Sequence, residues 1–216
     1  DNYPNRAGQN GTSTITIPKD ATGVEDVGGK SDRNQQKAQF KALKEKLEAR
    51  LKSRKEMQAL LKNVRFTDTR EGLRIDLVDE ADFSMFALST DSLLPRAREL
   101  LQEVAKVVET VPNPGVVRGH TDSLPYASGK TMNNWMLSTA RAEATRKAMI
   151  AGGMNPGRVQ RIEGVADGEP FNPGDKYDPK NRRMSITLVF MDQARAPLVD
   201  RAMPSIGPTV KQAAVH

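Results

Sequence analysis

The residues best equipped for chemistry stand in a row: His120, Thr121, Asp122 and Ser123. A base, an acid and a hydroxyl suggest a triad, but consecutive residues on an extended segment point in alternate directions and do not converge. A hydrolase is therefore not expected, and His120 reads as a structural hydrogen-bonding group at a strand end. The chain has no cysteine and only one other histidine, His216. That excludes a disulfide framework, a thiolate metal centre and a cysteine nucleophile, and it disfavours a multi-histidine metal site. Neither G-x-x-x-x-G-K-[ST] nor G-x-G-x-x-G occurs, so no nucleotide cradle is indicated. No catalytic residue, metal or cofactor is expected.

A second feature is charge placed against local preference. If Ser138 caps a helix, Arg141 falls in its first turn, where the unpaired N–H groups and the dipole disfavour a cation. Such an arginine calls for an anionic partner, and Asp122, at the end of the preceding strand, is the obvious one. Two readings stay open: a structural ion pair, or a receptor for a zwitterion. In the second, a carboxylate takes an ammonium and a guanidinium takes a carboxylate through two parallel hydrogen bonds. Asn134, Thr121 and the helix-start N–H groups would add neutral donors and acceptors.

The elements that must position these residues follow from pattern. Residues 1–34, rich in Gly, Asn, Ser and Thr, read as a mobile linker in which Ile15 and Ile17 are isolated apolar positions. Residues 35–63 are Lys, Glu, Gln, Ala and Leu without Gly or Pro, which predicts a helix of about 45 Å at 1.5 Å per residue. Phe40, Leu43, Leu47, Leu51, Met57 and Leu61 give it a narrow apolar stripe, expected to dock on the following domain or on a second copy. Strict heptad phase puts Arg50 and Arg54 in the seam and so disfavours a long coiled coil.

Residues 64–191 form the compact unit. Val64 and Phe66, then Leu73, Ile75 and Leu77, predict a hairpin around Arg70-Glu71-Gly72. A helix capped by Thr90 or Asp91 follows from about Leu93 to Val111, then a strand Val116–Gly119, a polar loop, and a helix from Ser138 to Ile150. A strand Val159–Glu163 and a last one through Met184, Ile186, Leu188 and Phe190 complete the order. The fold class is α+β: a mixed sheet with helices on one face, preceded by a long charged amphipathic helix. Residues 192–216 carry Pro197, Pro204 and Pro208 without periodicity and read as a disordered tail.

The 216 residues carry 33 Lys+Arg against 27 Asp+Glu, a formal charge of +6. Glu45, Glu48 and Glu56 interrupt the lysine-rich helix face at pairing distance, and aromatics are scarce, so nucleic acid is not an expected partner. No run of 18 apolar residues occurs, so no membrane span is expected; with Asp first, the chain reads as a cut-down or processed piece.

Several motifs together resemble a known family. They are Gly119-His120-Thr121-Asp122, Asn134-Trp135-Met136-Leu137-Ser138-Thr139-Ala140-Arg141-Ala142, Gly164, and Asn181-Arg182-Arg183 before the last strand. This ordered set, spanning Leu73 to Phe190, resembles the OmpA-like peptidoglycan-binding domain. Within that group, the Asn-Trp-x-Leu-Ser form, the long insert Ser123–Met132, and Ala166-Asp167-Gly168-Glu169-Pro170 are similar to the periplasmic part of flagellar stator proteins of the MotB type.

The resemblance implies a noncatalytic periplasmic anchor that grips the diaminopimelate stem peptide of peptidoglycan. It implies ligand-binding roles for Thr121, Asp122, Asn134, Ser138, Arg141, Arg182 and Arg183, with one of the two adjacent arginines facing the ligand and the other the core. It further implies a homodimer and a MotA-type channel subunit as partners, through a membrane segment absent from this chain. The alternative the resemblance leaves open is an OmpA-like cell-wall tether of another envelope complex, a lipoprotein or a secretion system. Trp135, beside a buried Leu137, is expected to pack in the core rather than stack on a sugar.

Overall fold

Alternating apolar residues build the expected hairpin. In the computed structural model, which describes residues 27–125 and 133–194, strands β1 (Val64–Asp68) and β2 (Gly72–Val78) pair antiparallel, with Phe66 opposite Ile75. Strands β3 (Gly115–His120), β4 (Val159–Gly164) and β5 (Arg183–Val189) complete one five-stranded sheet in the order β1-β2-β5-β3-β4. Only β3 and β4 are parallel, as the helical crossover between them requires.

Period two assigns each strand an inner and an outer face. Leu73, Ile75, Leu77, Met184, Ile186 and Leu188 point inward and are fully buried. Arg74, Asp76, Arg183 and Ser185 alternate with them on the other face. Helices cover the inner face: α4 (Asn134–Ala151) lies on β3 and β4, α3 (Pro95–Val108) on α4, and α1 (Val27–Lys52) on α3. The mixed sheet with one helical face, and the helix ahead of it, are as the sequence predicts.

Helix boundaries differ, for local reasons. Helix α1 begins at Val27, within the stretch read as a linker, because its first half is held by the domain. Buried Gln36 accepts from Asn113 Nδ2 at 2.8 Å and from the Met191 amide at 3.0 Å, and Arg33 pairs with Asp192 at 2.6 Å. It ends at Lys52, where Arg54 is extended; a one-turn helix α2 (Lys55–Gln58) and a 3-10 turn, Leu61–Asn63, carry the chain on to β1. The stripe Phe40, Leu43, Leu47, Leu51 and Met57 lies in the same core as the sheet, so the helix docks on its own domain. The seam arginines have a use there. Arg50 and Arg54 both donate to Glu103 of α3, a buried carboxylate also met by Lys106 at 3.0 Å. Burial would raise the pKa of Glu103, but these cations outweigh it and hold it below the usual range.

Helix α3 starts at Pro95 with Leu94 as its cap residue, not Thr90 or Asp91. Proline at the first helical position has its φ preset, and the N–H it lacks is one that a helix start leaves unpaired in any case. Thr90 instead closes a turn, its hydroxyl accepting from the Ser92 amide at 3.1 Å. Past β5, Met191–Ala194 form a short turn α5, so helical structure reaches three residues into the stretch read as tail. The expected Ile15 and Ile17 positions, most of the insert Ser123–Met132, and residues 195–216 lie outside the described residues. Among the described residues no helix is long and apolar enough to cross a membrane.

Candidate functional site

The start of α4 decides where the site residues point. Asn133 caps the helix, its Oδ1 accepting from the Met136 amide at 2.9 Å. Ser138 is therefore inside the helix, and Arg141 lies beyond its first turn. The dipole argument for Arg141 is thus corrected: the residue is in the site, but not because it opposes the helix N-terminus. Ser138 acts as a latch. Its hydroxyl donates to Trp135 O at 3.0 Å and accepts from the Ala166 amide at 3.1 Å.

Two glycines let the helix press on the sheet. A Cβ on Gly119 would lie 2.1 Å from Ser138 O, and one on Gly164 would lie 2.1 Å from Thr139 Oγ1. Both are far inside van der Waals contact, so any side chain would push α4 outward. With the helix this close, Asn134, Leu137 and Arg141, at i, i+3 and i+7, form one wall of a cleft. The opposite wall is the irregular segment from Asp79 to Ser89, and Thr121, Asp122 and Arg182 also line the cleft, which encloses about 180 Å³.

Ionic contacts organise its floor. Asp122 accepts from the Leu124 amide at 3.2 Å and from Arg182 Nη1 at 2.8 Å. Arg182 turns its Nε to Asp79 Oδ2 at 3.2 Å, while the other oxygen of Asp79 accepts from the Met85 amide at 2.9 Å. The ion pair of Asp122 is thus with Arg182. Arg141 donates from Nε to Thr90 O at 2.9 Å, and its guanidinium lies 4.9 Å from the centre of the Phe86 ring, within cation–π reach. Asn134 Nδ2 donates to Leu124 O at 3.0 Å.

Burial pushes the pKa of Asp79 up, against the pull of the Met85 amide and of Arg182. Burial also works against the charge on Arg182, but the hydrogen bonds it donates to Asp122 and Asp79 prevail and raise its pKa. The hydroxyl Oγ1 of Thr121 is buried in this wall without a hydrogen-bond partner among the described residues. An unpaired buried hydroxyl costs roughly 1–3 kcal/mol, which a ligand could recover.

Of the seven expected residues, the structure brings Thr121, Asp122, Asn134, Arg141 and Arg182 together around the cleft. Ser138 and Arg183 lie elsewhere. Arg183 is buried, donating to Glu169 O at 2.9 Å with its Nε 3.8 Å from Asp76. Of the adjacent arginines, then, Arg182 faces the cleft and Arg183 the buried polar cluster on the outer sheet face. Residues not anticipated are Asp79, Phe86, Ser89 and the rim leucine Leu88, which is 92% exposed. Asp79 directly follows the last apolar residue of a predicted strand, the place where site residues gather, and that was its one available signal. Trp135 is 60% exposed, so the expectation of core packing is corrected. His120 is structural, as read: buried, 3.1 Å from Ser185 Oγ, its pKa lowered to about 2 by burial and by Arg183, Arg118 and Arg74.

Comparison with known proteins agrees with this fold. The OmpA family profile matches residues 85–183. Motility protein B of Escherichia coli K12 is 31% identical over 171 residues, 79% of this chain and 56% of that protein. The chain thus spans about half the length of this curated relative. The periplasmic domain of Helicobacter pylori MotB superposes with a TM-score of 0.53 at 21% identity, covering 60% of this chain and 81% of that one. The cell wall anchor of the T6SS from Pseudomonas aeruginosa gives 0.53 at 28% identity, covering 66% and 96%. Residues 85–183 match the OmpA family, and over 79% of its length the chain is similar to motility protein B.

Proposed function

We propose that this chain is a noncatalytic, periplasmic cell-wall anchor of a flagellar stator, and that its cleft grips the diaminopimelate end of the peptidoglycan stem peptide. One observation carries the reading: the cleft is lined by two carboxylates, Asp79 and Asp122, and two guanidiniums, Arg141 and Arg182. Balanced opposite charges in one small cleft suit a zwitterion. The free end of diaminopimelate is one, with an ammonium for Asp122 and a carboxylate for Arg141. The buried hydroxyl of Thr121 is a further donor or acceptor beside them. The 31% identity to motility protein B supports the flagellar assignment.

Two charge-assisted contacts at roughly 1.5–3 kcal/mol each give weak binding by a single copy. Holding a motor then calls for a homodimer on a polymeric wall, where the second contact is effectively intramolecular. A MotA-type channel subunit would be met through a membrane segment outside this chain, and wall binding would be coupled to channel activation. A second reading, a tether of a secretion machine, is favoured by the likeness to the T6SS cell wall anchor. It shares the wall chemistry and differs in the assembly served.

The test is cosedimentation with diaminopimelate-type sacculi. The wild-type chain is expected to pellet, and Arg141→Ala to stay in the supernatant with an unchanged circular dichroism spectrum. Wild-type protein that remains soluble would overturn the reading, as would an Arg141→Ala variant that pellets normally.

A further inference from the structure

Asp79 lies outside the span matched by the OmpA profile, at the end of β2, and no motif assigns it a role. It is nonetheless buried, 5% exposed. A buried carboxylate is costly unless its oxygens are satisfied. Here the two oxygens serve different elements, one the Met85 amide in the cleft wall and the other Arg182. Arg182 in turn is held on two edges by two carboxylates, which fixes its guanidinium plane.

We infer that Asp79 is a positioning and specificity-determining residue: it aims Arg182 at Asp122 and keeps the Asp122 side of the cleft net negative. The inference rests on the stem-peptide reading of the cleft. Asp122 and Arg182 alone form a neutral pair, with little attraction for a ligand ammonium. Asp79 leaves one net negative charge on that side, and Arg141 supplies the positive charge on the α4 wall. Arg182 is then an internal counter-ion rather than a grip on ligand. Asparagine cannot replace Asp79, because its single carbonyl oxygen cannot accept from both Met85 and Arg182, and it carries no charge.

The test compares two probes by calorimetry: a muramyl tripeptide ending in meso-diaminopimelate, and the same peptide with the side-chain amine acetylated. The wild-type chain should prefer the free amine by at least about tenfold, a difference of one charge-assisted contact. Asp79→Asn should lose most of that preference while leaving the acetylated peptide little changed. Without ligand, the Arg182 Nε–H resonance, slow to exchange in the wild type, should lose its protection in Asp79→Asn. If the Asn variant does not fold, Asp79→Ser carries the same expectation, since its hydroxyl can accept from the Met85 amide. Retained preference in a folded variant overturns the inference, and so does an unchanged Arg182 Nε–H signal. If the wild type binds neither peptide, the stem-peptide reading fails; the Arg182 signal then still decides the positioning role by itself.

Discussion

Two clusters at one end of the sheet each set aspartate against arginine and do opposite things. On one side, Asp79, Asp122, Arg141 and Arg182 line an open cleft. On the outer sheet face, Asp76, Ser185, His120 and Arg183 close on each other: Ser185 donates to Asp76, His120 meets Ser185, and Arg74 reaches Asp76 at 3.0 Å. Alternation along the backbone separates them, sending Arg182 to the cleft and Arg183 to the outer sheet face. The lesson concerns accessibility. Residue by residue the two are almost equally covered: Asp76, Ser185, His120 and Arg183 are at most 5% exposed, and Asp79, Asp122 and Arg141 are 5–6% exposed. Both clusters keep buried polar atoms without a partner among the described residues, Thr121 Oγ1 in one and His120 Nδ1 and Arg183 Nε in the other, so what separates them is the open cleft that the first group shares.

The comparison breaks first at Asp76. Removing one partner from a buried ionic cluster strands the others, and burial already lowers the pKa of Arg183 against the support of Asp76. Asp76→Ala should therefore cost about 3–5 kcal/mol in urea unfolding, whereas the folded fraction should bind sacculi as the wild type does. Loss of binding without loss of stability would exchange the roles of the two clusters.

A pH titration sharpens the contrast. His120 is neutral when folded, with its pKa near 2 against the ordinary histidine value of 6.5 in the unfolded chain, so the unfolded chain binds the extra proton between these values. Its contribution to stability is fully present above pH 6.5 and is lost as pH falls. Between pH 7.5 and pH 5.0 the wild type should lose about 2 kcal/mol more than His120→Gln, compared by denaturant unfolding at both pH values. Equal losses would show that His120 is not the group responsible.

The smallest effect is expected at Trp135. Exposed on α4 beside cleft-lining Asn134, it should tolerate alanine with a change of under about 0.5 kcal/mol in thermal stability. A larger loss would mean that it packs against something in solution.

Much of this was legible in advance where periodicity was strong. The hairpin, the order of strands and helices, and the apolar stripe of α1 follow from alternation and three- to four-residue spacing. What escaped has physical causes. The wall from Asp79 to Ser89 holds only isolated bridges, such as Glu80 to Phe83, and so carries no period. Its exposed Leu88 breaks the rule that large apolar residues mark the core. The start of α4 was misplaced because Asn133 and Ser138 are both good caps, and only the tertiary fit at Gly119 and Gly164 selects the first. The misplaced start puts Arg141 in the first turn, whereas the structure brings it to the cleft from further along α4, on the same face as Asn134 and Leu137.

The docking of α1 has a mechanical consequence. The helix is about 39 Å long at 1.5 Å per residue and lies along α3, fastened near one end by Gln36 and Arg33 and near the other by Arg50 and Arg54. A pull directed along its axis would load these attachments and the stripe between them together, in shear. A pull directed away from the surface at Val27 would meet them in sequence and peel the helix off at lower force. The direction of tension on the chain, as much as its size, would then determine whether the helix stays seated.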